Sequence, residues 1–153
     1  MTAKEYLQQI KELNDVITNK KVELYQLECL ATSITAPPDR EAVKTSNISD
    51  KVGSCATKIV QLEEEIEQAI SAYLEARSER MAIIDRVRVM NHNRYIVLFK
   101  CYVEYKPLTD IAKEMHLSYD YVREVHIKAL RDVAEIMNIC ANTHTTPLET
   151  HNA

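Results

Sequence analysis

Two apolar seams with alternating spacings of four and three occupy most of the first ninety residues. The first runs through Tyr6, Ile10, Leu13, Ile17, Lys20, Leu24, Leu27 and Ala31. The second runs through Val52, Cys55, Ile59, Leu62, Ile66, Ala69, Tyr73, Ala76, Arg80, Ile83, Val87 and Met90. Such a repeat keeps one helix face turned to a partner helix and is incompatible with the two-residue period of a strand. One Gly and no Trp in 153 residues fit the same conclusion, because sheet proteins draw on glycine for their turns and helices do not. The expected fold is all-α: a long antiparallel helical hairpin over residues 1–90, followed by a smaller helical module.

The first helix is expected from Ala3 to about Ala31, with Thr2 as N-cap and Glu5 completing a capping box. Residues 32–49 contain Pro37-Pro38 and several Ser, Thr and Asn, and are expected as a loop. A second helix is expected from Asp50, capped by Ser49 or Asp50. Unbroken, it extends roughly 60 Å at about 1.5 Å per residue. Pairing Leu13 with Tyr73, or Leu13 with Ile66, both align the seams, and the spacing does not choose between them. A second stripe, Ala56, Val60, Ile70, Leu74, Met81 and Ile84, makes the apolar face too wide for a two-stranded coil. Another surface must cover it, either a second subunit, which implies a homodimer, or the C-terminal module.

Asn91-His92-Asn93 is a polar break and the expected domain boundary. A helix from Arg94 to about Tyr105 follows, with Ile96, Leu98, Phe99 and Val103 inward. Pro107 to Leu130, PLTDIAKEMHLSYDYVREVHIKAL, then reads as a helix-turn-helix. Its first helix spans about Leu108 to Met115, with Asp110 near the positive helix end and Ile111, Ala112 and Met115 on one face. His116 and Leu117 form the turn, Leu117 plugging the angle, and Ser118 is the N-cap of the second helix. Val122, Val125, Ala129 and Leu130 are its expected buried face, continued by Val133, Ile136 and Met137. The module is expected to occupy residues 91–140, and residues 141–153 to be a disordered tail.

The stretch TDIAKEMHLSYDYVREVHIKALR resembles the promoter-reading module at the C-terminus of bacterial sigma factors. Ile111-Ala112, Met115, Leu117-Ser118, Val122, Val125 and Lys128-Ala129-Leu130-Arg131 carry the match, and Tyr95 to Val103 resembles the helix before that module. With the start MTAKEYLQQI and the segment LATSITAP, the chain is similar to a family of small phage and prophage proteins of Gram-positive bacteria. These join a coiled-coil N-terminus to a sigma-like helix-turn-helix. The resemblance implies a transcriptional regulator that binds double-stranded DNA, with host RNA polymerase as a candidate partner. The turn of such motifs usually carries Gly; His116 stands there instead, a residue that enters the left-handed region more readily than most.

In such motifs the outer N-terminal face of the second helix enters the major groove. Ser118, Tyr119, Asp120, Arg123 and Glu124 are the expected contacts, with Arg123 reading a guanine edge and Lys106, Lys128 and Arg131 holding phosphates. Charge runs the other way. The chain carries −4 overall, and residues 91–140 hold seven basic and seven acidic side chains. Phosphate neutralisation drives non-specific affinity, so a lone monomer is expected to bind DNA weakly. Two alternatives therefore stand beside the regulator: a protein-interaction module that binds RNA polymerase or another regulator, and a DNA-packaging recognition subunit.

An enzyme is not expected. No Ser/His/Asp or Cys/His arrangement is visible, and a phosphate loop needs glycines the chain lacks. Cys29, Cys55, Cys101 and Cys140 include no CxxC pair, so no metal or cofactor is expected and the cysteines read as free thiols. The absence of a signal segment or a membrane-length apolar run points to the bacterial cytoplasm. Tyr95, Tyr102 and Tyr105 read as core or rim residues, and Glu63-Glu64-Glu65-Glu67 as a solvated helix face.

Overall fold

The computed structural model describes residues 1–35 and 46–143. They form five α-helices and no strand: α1 (Ala3–Thr35), α2 (Ser46–Met90), α3 (His92–Tyr102), α4 (Leu108–Glu114) and α5 (Tyr119–Thr143). The fold is all-α. No helix among the described residues is long and apolar enough to cross a membrane.

The start of α1 forms as its sequence dictates. Glu5 N–H donates to Thr2 Oγ1 at 3.2 Å, and Thr2 N–H donates to Glu5 Oε2 at 2.8 Å. This reciprocal capping box satisfies two backbone donors that helix geometry leaves over. At the other end α1 continues past Ala31 to Thr35, and α2 begins at Ser46 rather than Asp50. The expected loop is therefore shorter at both edges. Thr32 Oγ1 donates to the Glu28 carbonyl and Ser33 Oγ to the Leu30 carbonyl, each at 2.8 Å. Hydroxyls that bond back into the preceding turn let Ser and Thr stay helical. Residues 36–45, with Pro37-Pro38, lie outside the described residues. So do 144–153, most of the expected tail; its first three residues extend α5.

The chain divides into two compact units, and the division does not fall at Asn91. One unit is Met1–Lys11 with Glu75–Ala153; the other is Glu12–Leu74. In the second unit the seam residues are the more buried ones. Ile17, Leu62 and Ile66 are buried, while Leu13, Leu24, Leu27, Val52, Cys55, Ile59 and Tyr73 are half-buried. Lys20, the polar seam residue, makes an ion pair with Glu65. That contact belongs to the register with Leu13 opposite Tyr73; the alternative sets Lys20 beside Ile59. Val60 and Leu74, from the second stripe, are exposed here.

The first unit has two cores. In one, Ala3 and Leu7 of α1 and Ile84 and Val87 of α2 pack with Leu98, Tyr102, Ala129, Val133 and Ile136. Met81 of the second stripe packs against the same cluster. This shared core is why the boundary lies within α1 and α2: the first turns of the chain are wall material for α3 and α5. In the other core, Val97 meets Ile111, Ala112, Val122 and Val125.

Helix α3 buries Val97, Leu98 and Tyr102, whereas Ile96, Phe99 and Val103 are only half-buried. Because α3 serves both cores, its inward face is Val97-Leu98 and, one turn on, Cys101-Tyr102. Arg94 NH1 donates to both carboxylate oxygens of Asp132, at 3.0 and 2.7 Å, and so ties α3 to α5. Asp132 is buried, and the charge-assisted pairing meets its need for donors.

Candidate nucleic-acid interface

Helix α4 starts after Pro107, whose extended backbone (φ −68°, ψ 152°) suits the cap position, and Asp110 lies in its first turn. At its C-terminus His116 takes φ 54°. Leu117 N–H then donates to the Ala112 carbonyl at 3.0 Å, and His116 N–H to the Lys113 carbonyl at 3.2 Å. That pair of bonds is the Schellman closure, built here on a histidine where glycine would be unstrained.

Leu117 does not plug the interhelical angle; it is 38% exposed. The left-handed residue before it swings the chain outward, and the space between α4 and α5 is filled by Ile111, Ala112, Val122 and Val125, with Met115 beside them. Ser118 Oγ accepts from Tyr121 N–H at 3.3 Å, and its carbonyl accepts from Val122 N–H, so Ser118 caps α5.

Along α5 the buried positions are Val122, Val125, Ala129, Val133 and Ile136, with Asp132. Tyr119, Asp120, Arg123, Glu124, Lys128 and Arg131 all fall on exposed positions. Tyr119 and Tyr121 are 47% and 45% exposed, so neither packs inward. The helix thus gathers Ser118, Tyr119, Asp120, Arg123 and Glu124 at its start, with Lys128 and Arg131 further along.

Two of the expected phosphate contacts are engaged within the chain. Lys128 Nζ lies 2.7 Å from Glu124 Oε1, one turn away, and this hydrogen bond, then the charge behind it, holds the Glu124 carboxyl below the usual range. Lys106 Nζ contacts Glu114 at 2.7 Å and Glu104 at 3.0 Å. Lys100 reaches the same Glu114 at 2.7 Å. Two lysines and two glutamates form a neutral cluster there, in which Glu114, then Glu104, raises the Lys106 ammonium. Exposed pairs of this kind contribute little to stability. No ion pair joins Arg123 or Arg131 to another described residue.

The spacing alone did not point to His126. It is half-buried on α5, and its Nε2 lies 3.0 Å from the Tyr102 hydroxyl, with the rings stacked at 5.8 Å. Burial, and secondarily the Lys4 charge, pushes the imidazole below its ordinary value; burial pushes the Tyr102 phenol up. The signal available was position: His126 follows the buried Val125 on the flank of the apolar stripe. The folded state holds His126 less basic than the unfolded chain does, so the unfolded chain binds the extra proton as pH falls. The stability of this unit should therefore fall as pH drops below about 6.5, the ordinary imidazole value. Urea midpoints on either side of that pH should show the loss, and His126→Gln should flatten it; an unchanged slope in the variant would assign the loss to other groups.

No group of three or more potential metal ligands occurs among the described residues, and none of the four cysteines is in a disulfide. No family model, curated protein or solved structure matches the chain.

Proposed function

We propose that this chain is a DNA-binding transcriptional regulator of the phage type, with α5 as the reading helix. The observation that carries the reading is the outer face of α5. It begins at a capped Ser118, lies across a tight turn from α4, and presents Arg123 exposed and without an ion pair among the described residues. A guanidinium so placed offers the planar donor pair that a guanine edge accepts. Lys128 and Arg131 follow on the same helix at positions suited to backbone phosphates. The exposed apolar residues of the second unit, Val60 and Leu74 on α2 with Val22 and Leu30 on α1, support a homodimer, which would double the phosphate contacts.

A second reading has its own support. Lys106 and Lys128 are matched to carboxylates, and the module is neutral, so the same face suits a protein partner such as RNA polymerase. Genome-wide capture with the tagged chain, followed by electrophoretic shift on the captured sites, separates the two. Arg123→Ala should cost about 1–3 kcal/mol at a specific site and relax preference at one base. Lys128→Ala should weaken all sequences alike and reduce the salt dependence. Binding unchanged by both, with polymerase still retained in a pull-down, would transfer the function to the protein partner. Light scattering on the same sample reads the dimer; a monomer at tens of micromolar would remove it.

A further inference from the structure

We propose that a cleft in the first unit binds a small apolar monocarboxylate, its carboxylate at Lys4 and its body against Tyr102, Tyr105 and Leu108. The cleft has a volume of about 270 Å³ and lies between the first turns of α1, the end of α3, the α3–α4 connection and α5.

Its wall is apolar for a chemical reason. The Tyr102 hydroxyl and His126 Nε2 engage each other at 3.0 Å and the two rings stack at 5.8 Å, so these two polar atoms are turned to one another. The connection that forms the opposite wall is held in an uncommon shape. Tyr105 has φ 59°, a conformation a bulky residue adopts only when its surroundings enforce it. Glu104 N–H donates to the Phe99 carbonyl at 3.1 Å and Lys106 N–H to the Lys100 carbonyl at 2.9 Å, which fixes the bend.

The charged side chains that line the cleft are lysines. Lys4 and Lys11 are among its lining residues, and no carboxylate is. Lys4 shares the lining with Cys101 and His126, so the ammonium is carried on the same cleft as the apolar wall. An apolar cavity of about 150 Å³ admits benzene. The larger cleft therefore has room for a bicyclic aromatic or short branched acyl body. Mostly apolar walls with a few converging polar groups are the usual make-up of a small-molecule site.

The proposal does not depend on the DNA-binding reading. It is tested on the full chain with 1-naphthoate and its neutral counterpart 1-naphthalenemethanol, by calorimetry and by amide chemical shifts. Naphthoate should bind saturably, with shifts centred on Cys101 to Leu108 and on His126. Lys4→Gln, at an exposed position, should weaken naphthoate roughly tenfold by removing a charge-assisted contact and leave the alcohol unaffected. Leu108→Trp should fill the cleft and abolish binding of both. Absence of saturation at low millimolar naphthoate, shifts centred elsewhere, equal affinity for acid and alcohol, or an unchanged affinity in Lys4→Gln would each overturn the proposal.

Discussion

Leu7→Ala should destabilise α3, α4 and α5 by about 2–5 kcal/mol, the range for emptying a buried leucine site, although residue 7 lies more than eighty positions before α3 begins. Leu7 is fully buried, in one cluster with Leu98, Tyr102, Ala129, Val133 and Ile136. Its neighbours in that cluster are pinned by other contacts. Ile84 and Val87 sit on α2, and Arg94 clamps α3 to Asp132 of α5, so the site cannot collapse to fill the void. A loss of this size is a large part of the ordinary stability of a small domain. Hydrogen exchange resolves it by residue: amides of α3 and α5 should lose protection together with those at the start of α1. If protection in α3 and α5 survives while only α1 opens, residues 91–143 form a unit of their own and the shared core contributes little.

That boundary was hidden from the sequence for a definite reason. Asn91 does interrupt the chain: its side chain accepts from Arg94 N–H and caps α3. A break in the backbone pattern marks where a helix ends, not where packing ends. Leu7 adjoins the seam residue Tyr6, and Ile84 adjoins Ile83, so the widening of the stripe was readable while its occupant was not. The seams themselves were legible because one period governs both helices, down to Lys20, whose partner Glu65 then decides the register. Helix α3 was not, since YIVLFKCYV is apolar or aromatic on every face and only the two cores choose Val97, Leu98 and Tyr102. On α5 the exposed face followed from the buried one. Its pairings did not, because Glu124 and Lys128 satisfy one another at a spacing that also suits phosphate contact. The cleft lined by Lys4 and His126 joins residues more than a hundred positions apart, and no local pattern encodes it.

Arg80→Ala should cost on the order of 3 kcal/mol, since hydrogen bonds from a charged donor contribute about 1.5–3 kcal/mol and packing is lost as well. Arg80 occupies an apolar seam position and is 6% exposed. The guanidinium is nevertheless well supplied. Nε donates to the Tyr6 carbonyl at 2.9 Å, NH1 to the Ala76 carbonyl at 3.0 Å, and NH2 to Gln9 Oε1. Its carbon stands 4.1 Å over the centre of the Tyr6 ring, where a cation is attracted to the π face. Glu79 approaches from outside at 3.4 Å but is largely exposed, so the interaction rests on neutral acceptors and an aromatic ring more than on an opposite charge. Arg80→Lys should recover little, because an ammonium cannot serve three acceptors fixed in the plane of a fork. Arg80→Met should recover only the part lost with packing, because it restores the apolar reach of the side chain but none of the donors to Tyr6, Ala76 and Gln9. Urea midpoints of the three variants give the order directly. A lysine variant as stable as the parent would mean that charge, rather than the planar donor set bridging Tyr6 and Gln9 on α1 to α2, holds this position.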